Sequence, residues 1–551
     1  MYNESNILLE NNMDQHSGTK ANYVKTEAVS NNGMVATKDK LSTEAGLEIL
    51  KLGGNAVDAG IAACLAVGVV EPESSGIGGG GYMTFQVGEQ GGVIGFPMKG
   101  PLNGTPEMYE LTGESSVGSF GWAGVKNNEN IHGYKSIAVP GCIAGLLEAH
   151  KRFGKIPLSE VVSPAVKLAR DGFYPEWFTL YKFASLTEML LRYEELGKTF
   201  MPSGILPFGG IDGPYTLKQK NLANTLEVIG KNGLDGFYRS EITENIVNDI
   251  QNNGGILTME DFDQYKPFFW DKGLEFKYRD KIIRVPKYAC AGITSAMTMK
   301  TLNGFDLSRL DHNSSEMLHL YISSARMAYA DRFKYVADPE FADVPWNGMI
   351  SDKYIEKRQK EIKDTAPSTF KAGNPWIEEG RDPKFVLESS QPRPDSGTTH
   401  LGVIDKDGNA VSITNTIMSG FGSGIIPKNT GVVMNNGMMW YDPTPNRVNS
   451  IASGKFPLNN MTPALVIGKD GVEISVGASG GRRITNCVTS LLVKMIDYKM
   501  SPQKAIDEPR VDCSSMTTDV SPELDINVIK ELTDKGHKMR VLGEGFTQTG
   551  F

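Results

Sequence analysis

Over residues 41 to 70, "LSTEAGLEILKLGGNAVDAGIAACLAVGVV", apolar positions recur at helical spacing, stop at Gly53 and Gly54, and resume as an almost wholly apolar run. The pattern predicts an amphipathic helix, a tight turn and a second helix buried on all sides. The apolar run at 59 to 70 is too short to cross a bilayer. "EPESSGIGGGGYMTFQVG" follows, a glycine-rich loop entering an alternating strand. From about 140 to 340 the patterns are mostly helical, as in "CIAGLLEAHKRFG" and "SSEMLHLYISSARMAYADRFKYV". Residues 355 to 397, dense in charge, Pro and Gly, predict an exposed, weakly structured connector. Beyond it, "THLGVID" and "AVSITNTI" flank "KDGN", a strong hairpin signal, and "GVVMNN", "PALVIG" and "VEISVG" predict further strands. "RRITNCVTSLLVKMIDYK" sets Ile484, Val488, Leu491, Leu492, Met495 and Ile496 on one helix face. The chain carries no internal repeat.

At 551 residues the chain is long enough for two or more domains, or one large layered domain. Its net charge of -9 is spread along the sequence, which argues for solubility and against a nucleic-acid partner. Residues 1 to 32 have no basic start followed by an apolar run, so a poorly ordered tail is expected rather than a signal peptide or anchor. A soluble, cytoplasmic protein with no membrane partner follows as the expectation. Five widely spaced cysteines without a CxxC fit reduced thiols. Neither HExxH nor a Cys/His cluster occurs, so no catalytic metal and no cofactor are expected.

Three stretches carry candidate chemistry. "GIGGGG" at 76 to 81 lacks the preceding strand and following helix of a dinucleotide fingerprint, so its glycines read as a close backbone approach. "GASGG" at 477 to 481 is a formal G-x-S-x-G between a strand and a helix, which makes Ser479 a rival nucleophile. An elbow serine would need a histidine from what remains of the chain, and His537 is the one left. The same geometry also lets the N–H groups of Gly480 and Gly481 form an oxyanion hole for a nucleophile from elsewhere. The third stretch is "DSGTTHLGVIDKDGNAVSITNT". A cut between Gly397 and Thr398 would place a free α-amine beside the Thr398 hydroxyl, and such an amine titrates near ~7.7–8.0, suited to take its proton. Thr416, at the end of the partner strand, is placed to bond the Thr398 Oγ across the hairpin.

"MVATKDKLSTEAGLEILKLGGNAVDAGIAACLAVGVVEPESSGIGGGGYM", "VPGCIAG", "LANTLEVIGKNGLDGFY", "AYADR", "TTHLGVIDKDGNAVSITNT", "FGSGI", "GKFPLNNMTPAL" and "GASGGRRI" together resemble the γ-glutamyltransferase (glutathione hydrolase) family, in that family's order from about residue 33 to about 550. The resemblance implies an N-terminal-nucleophile hydrolase with a four-layer αββα sandwich, made as a precursor that cuts itself. It implies Thr398 as nucleophile, a large subunit of residues 33–397, and a small subunit of residues 398–551 that associates with it. A homodimer of that heterodimer is a further expectation. The implied partner is a small-molecule amide whose acyl group passes through an ester on Thr398 to water or an amine.

The positions that hold a γ-glutamyl head in that family differ here. "FPMKGP" puts Pro97 where its carboxylate-binding arginine falls and leaves Lys99 as the nearest cation. "NNGMMWY" gives Gly437 and Trp440 in place of a glutamine and an aspartate. The paired serines are Asn459 and Asn460, and an asparagine is Met418. Trp440 is read either as a surface for an aromatic or less charged acyl part or as a core residue. Two alternatives therefore stand beside the main reading: an acylase or small-amide hydrolase, oxamate-amidohydrolase-like or cephalosporin-acylase-like, that does not act on γ-glutamyl substrates, and an unprocessed binding scaffold. The chain ends at "GEGFTQTGF", where the family continues through a "GASDPR"-like strand, which leaves either a shortened chain or a sheet short of one edge.

Overall fold

The computed structural model describes residues 26–115, 122–209, 213–384 and 397–542; most of the expected tail, and the chain end from 543, lie outside them. Asp39 accepts from the N–H groups of Leu41 and Ser42 and so caps helix α1 (Lys40–Lys51). The chain reverses at Gly53, φ +92°, and Asn55 opens α2 (Ala56–Val70) with a capping box completed by Asp58. Every residue of α2 is buried, as its unbroken apolar run requires.

Ten strands among the described residues form the two principal sheets. In chain order they are β1 (Gly33–Ala36), β2 (Gly80–Val87), β3 (Gln90–Phe96), β4 (Phe268–Asp271), β5 (Leu274–Tyr278), β6 (Lys281–Val285), β7 (Thr399–Asp405), β8 (Ala410–Thr416), β9 (Ala464–Gly468) and β10 (Gly471–Val476). The first sheet runs β1-β7-β8-β2-β3-β4 and the second β10-β9-β6-β5, with antiparallel neighbours throughout. Hydroxyls tie the two faces together: Thr84 Oγ1 donates to the Pro463 carbonyl at 2.8 Å, Ser412 Oγ to Val476 at 3.0 Å and Ser475 Oγ to Val411 at 3.0 Å. Outside the first sheet, α2 and α3 (Cys142–Phe153) pack on Phe85, Ile94, Val403 and Ile413. Outside the second, α4 (Gly292–Leu302), α5 (Ser315–Tyr335) and α6 (Arg483–Ile496) pack on Ile283, Val285 and Val466. The result is the expected αββα sandwich. All five cysteines are free and buried, and no helix among the described residues is long and apolar enough to cross a membrane.

Most local expectations hold. The "KDGN" hairpin closes through Asp405 and Asn409, with Gly408 at φ +80°. Ile484, Val488, Leu491, Leu492 and Ile496 are buried along α6, with Met495 packed beside them. Two expectations fail. The connector is not weakly structured as far as residue 384: Asp352–Glu361 is a helix whose Tyr354, Ile355 and Arg358 are buried, and Trp376 packs into the same region. Its charge density misled because Arg358 is consumed internally, by Glu361 at 2.5 Å and the Lys371 carbonyl at 2.9 Å. Residues 385–396 lie outside the described residues. "GVVMNN" is not a strand either. Its backbone is satisfied in irregular fashion, by Ile425, Ser423 and Ile417, and Asn435 reaches Gly78 and Ala138 with its side-chain amide.

Candidate functional site

The site is assembled where the glycine loop meets the hairpin. A Cβ on Gly79 would stand 2.0 Å from the Thr416 carbonyl oxygen and one on Gly81 2.1 Å from that of Thr414, so the loop is glycine because backbone presses on backbone. This contact fixes the end of β8, and β8 fixes the start of β7 through the pair Asn415 and Thr399.

Thr398 stands just ahead of β7 and is 5% exposed. Its Oγ1 lies 2.7 Å from the Gly397 carbonyl oxygen and 3.2 Å from Thr416 Oγ1. The Thr416 hydroxyl donates to the same Gly397 carbonyl and accepts the Met418 N–H at 2.9 Å. One carbonyl, that of the bond between 397 and 398, is thus flanked by two hydroxyls. Gly397 has no room for a side chain, because a Cβ would meet the Met418 carbonyl oxygen at 2.3 Å. Met418 itself sits at φ +87°, a strained angle for a side-chain-bearing residue, in the turn that makes this contact.

The second sheet brings up the glycine pair. Gly477 rests on the His400 imidazole, two residues past Thr398, and the chain then passes Gly480 and Gly481, at φ +112° and +60°, into α6. Among the described residues neither of their N–H groups has an acceptor, so both donors remain free at a helix N-terminus. Ser479 Oγ makes no hydrogen bond among the described residues. His537, its one prospective base, is turned to His319 at 2.8 Å, and burial holds its pKa down to about 3. The elbow arrangement is therefore not formed.

The remaining candidates border one apolar cluster that includes Met98, Met418, Met438, Trp440 and Tyr441. Trp440 is buried in it. Gly437 gives its N–H to Asn435 Oδ1 at 2.8 Å. Asn459 is fully engaged: its amide donates to Tyr82 Oη and to the Ala289 carbonyl, each at 2.9 Å, and its Oδ1 accepts the Met461 N–H. Asn460 Oδ1 accepts from the Arg332 guanidinium at 3.0 Å. Lys99 sits at the edge, its ammonium 5.4 Å from the Phe456 ring centre, while Pro97 only accepts from Tyr265. Sequence reading missed Asn435, which clamps the glycine loop to this cluster, and Arg332 and Arg482, two buried arginines behind it. "AYADR" and "GGRRI" contain the arginines, but only three-dimensional placement shows that neither forms an ion pair with a carboxylate among the described residues.

An αββα sandwich that presents a threonine at the head of an inner strand, beside a carbonyl, defines an N-terminal-nucleophile hydrolase. Residues 42–550 match the gamma-glutamyltranspeptidase family, and the chain belongs to it. It is 33% identical to a glutathione hydrolase proenzyme of Bacillus subtilis (strain 168) over 93% of this chain and 86% of that protein. It is 30% identical to an acylase ACY 1 proenzyme of Pseudomonas sp. (strain V22) over 94% of this chain and 88% of that protein. Among solved structures, cephalosporin acylase from Bacillus halodurans superposes with TM-score 0.84 at 26% identity, covering 98% of this chain and 94% of that one. Helicobacter pylori gamma-glutamyltranspeptidase gives 0.58 at 30% identity, covering 64% of this chain and 97% of that one. The protein is an enzyme of amide hydrolysis and acyl transfer.

Proposed function

We propose that Thr398 acts twice. In the precursor its Oγ attacks the Gly397 carbonyl carbon, the peptide shifts from nitrogen to oxygen, and water hydrolyses the ester to leave the Gly397 carboxylate and the Thr398 amine. In the mature enzyme that amine takes the hydroxyl proton as Oγ attacks a substrate amide, then gives it to the leaving amine. The N–H groups of Gly480 and Gly481 receive the oxyanion, and water or a second amine releases the acyl group. The observation that carries this reading is the Gly397 carbonyl flanked by the Thr398 and Thr416 hydroxyls.

The acyl group is proposed to be other than γ-glutamyl. A free α-ammonium would face buried Trp440 and lose a charge-assisted hydrogen bond, a loss of about 1.5–3 kcal/mol. Asn459 is already committed, and no arginine stands at 97. Purified wild type should separate on a denaturing gel into fragments of 397 and 154 residues, the smaller beginning at Thr398, while Thr398→Ala stays whole and inactive. Active material with the 397–398 bond intact would overturn the mechanism. A γ-glutamyl anilide turned over faster than simple acyl anilides would overturn the substrate argument alone.

A further inference from the structure

Residues 362–373 form a strap over α5, in the helical layer outside the second sheet. The strap is anchored at both ends. The Lys363 carbonyl accepts from His319 Nε2 at 2.7 Å, and the Ala366 N–H donates to the Lys535 carbonyl at 2.7 Å. Further on, the Lys371 carbonyl accepts from Arg358 at 2.9 Å, and the Gly373 N–H donates to Asp331 at 2.7 Å. Between these anchors, residues 367–370 make no hydrogen bond among the described residues. Under the strap lies a cavity of about 380 Å³, and none of the residues that line it belongs to the Thr398 site. Ser323, on α5, lines it and is 2% exposed. Its neighbour Ser324 turns its hydroxyl back to the Leu320 carbonyl at 2.8 Å, the usual resort of a helical serine. The Ser323 hydroxyl makes no hydrogen bond among the described residues, so a buried donor is left facing the cavity. Met327, Ile362 and Phe370 supply apolar wall, the last with the Arg326 guanidinium 5.7 Å from its ring centre. Charge around the cavity is uneven. Arg358, Lys363 and Lys371 line it against one carboxylate, Glu361, which Arg358 holds at 2.5 Å. The Lys371 ammonium has no partner among the described residues.

A buried hydroxyl with nothing to bond, an unpaired cation and an apolar wall call for a ligand with an acceptor, a negative charge and an apolar body. We propose that this cavity is a second ligand site, which takes a small organic acid with one carboxylate carried on an apolar body. The Ser323 hydroxyl donates to a carboxylate oxygen, Lys371 meets the charge, and Met327 and Phe370 cover the body, so that the ligand closes the strap onto α5. Phosphate fits less well. The Arg358 fork is committed to Glu361 and the Lys371 carbonyl, which leaves no open guanidinium for it, and phosphate has no apolar part to bury.

The test is a calorimetric titration of purified wild type with hexanoate, with hexan-1-ol, hexylamine and inorganic phosphate as comparison probes. Hexanoate should bind saturably and should slow tryptic cutting after Lys363 and Lys371, the two lysines of the strap. Ser323→Ala should weaken it about tenfold, through the lost hydrogen bond to a charged acceptor, and Lys371→Gln about threefold to fivefold, as expected of an exposed charge. Lys371→Gln changes only an exposed side chain, so it keeps the test open should Ser323→Ala fold poorly. Absence of hexanoate binding would overturn the inference. Hexan-1-ol or hexylamine binding as tightly would remove the carboxylate from it, and phosphate binding as tightly would leave a general anion site; either result overturns it too. So would an affinity unchanged in both variants, or a strap cut by trypsin at the same rate with and without hexanoate, because the acid would then be held elsewhere.

Discussion

At the scale of single residues, the Thr416 hydroxyl does more than brace Thr398. It donates to the Gly397 carbonyl, the place where negative charge would develop in the proposed attack by Thr398. Thr416→Val keeps the shape and removes the donor. Self-cleavage should slow by about 10²-fold, the usual effect of deleting one oxyanion donor, read as the rate at which fragments appear after synthesis. Glu71 poses a second question. It lies beside Lys38 at 2.9 Å, with Glu73 nearby and one Glu73 oxygen unpartnered. Burial outweighs the attraction of Lys38 and raises Glu71 from 4.5 to about 7, with Glu73 adding to the rise. A raised carboxyl supplies its stability in full below 4.5 and loses it as pH climbs through about 7. The melting temperature of wild type should therefore fall across that window, and Glu71→Gln should flatten the fall; an unchanged slope would refute the assignment. Thr398 was singled out in the sequence by the resemblance of the motifs around it, since a TT pair alone reads as an ordinary strand start. The counter-ion status of Arg332 and Arg482 was not, since no spacing rule reports what a side chain fails to meet.

At the scale of elements, the glycine loop decides whether the hairpin is correctly placed. Gly79→Ala drives a Cβ into the Thr416 carbonyl, where backbone must move, whereas Gly88→Ala, at φ +54° with nothing within 4 Å, strains only its own backbone. Gly88→Ala should cost about 1–2 kcal/mol in urea and cut itself normally. Gly79→Ala should cost at least as much, about 1–3 kcal/mol, and should also slow self-cleavage because it displaces Thr416. Equal cleavage rates in the two variants would show that the loop does not set the site. Helices and hairpin were legible for physical reasons: α2 has no polar face, and "KDGN" permits little but a turn. The stretches misread were those whose polar groups are satisfied internally. Arg358 and Asn435 look solvent-facing in sequence, yet each is absorbed by backbone carbonyls that only the fold brings near.

At the scale of the whole molecule, the proposed cut falls where the chain can least come apart. Strands β7 and β8, which follow residue 398, lie between β1 and β2, which precede it, and β9 pairs with β6 in the other sheet. Each sheet therefore carries hydrogen bonds across the two fragments, and the apolar clusters on both outer faces draw on both. Separating them would expose sheet edges and core together, a far greater loss than one peptide bond restores in chain entropy. The new α-amine is freed locally while everything that positions it stays fixed. Gel filtration should thus give wild type and Thr398→Ala the same elution volume, although only wild type splits in denaturant, and both should unfold in a single transition. A wild-type preparation that loses the smaller fragment under native conditions would mean that the two parts do not share a core as these sheets require.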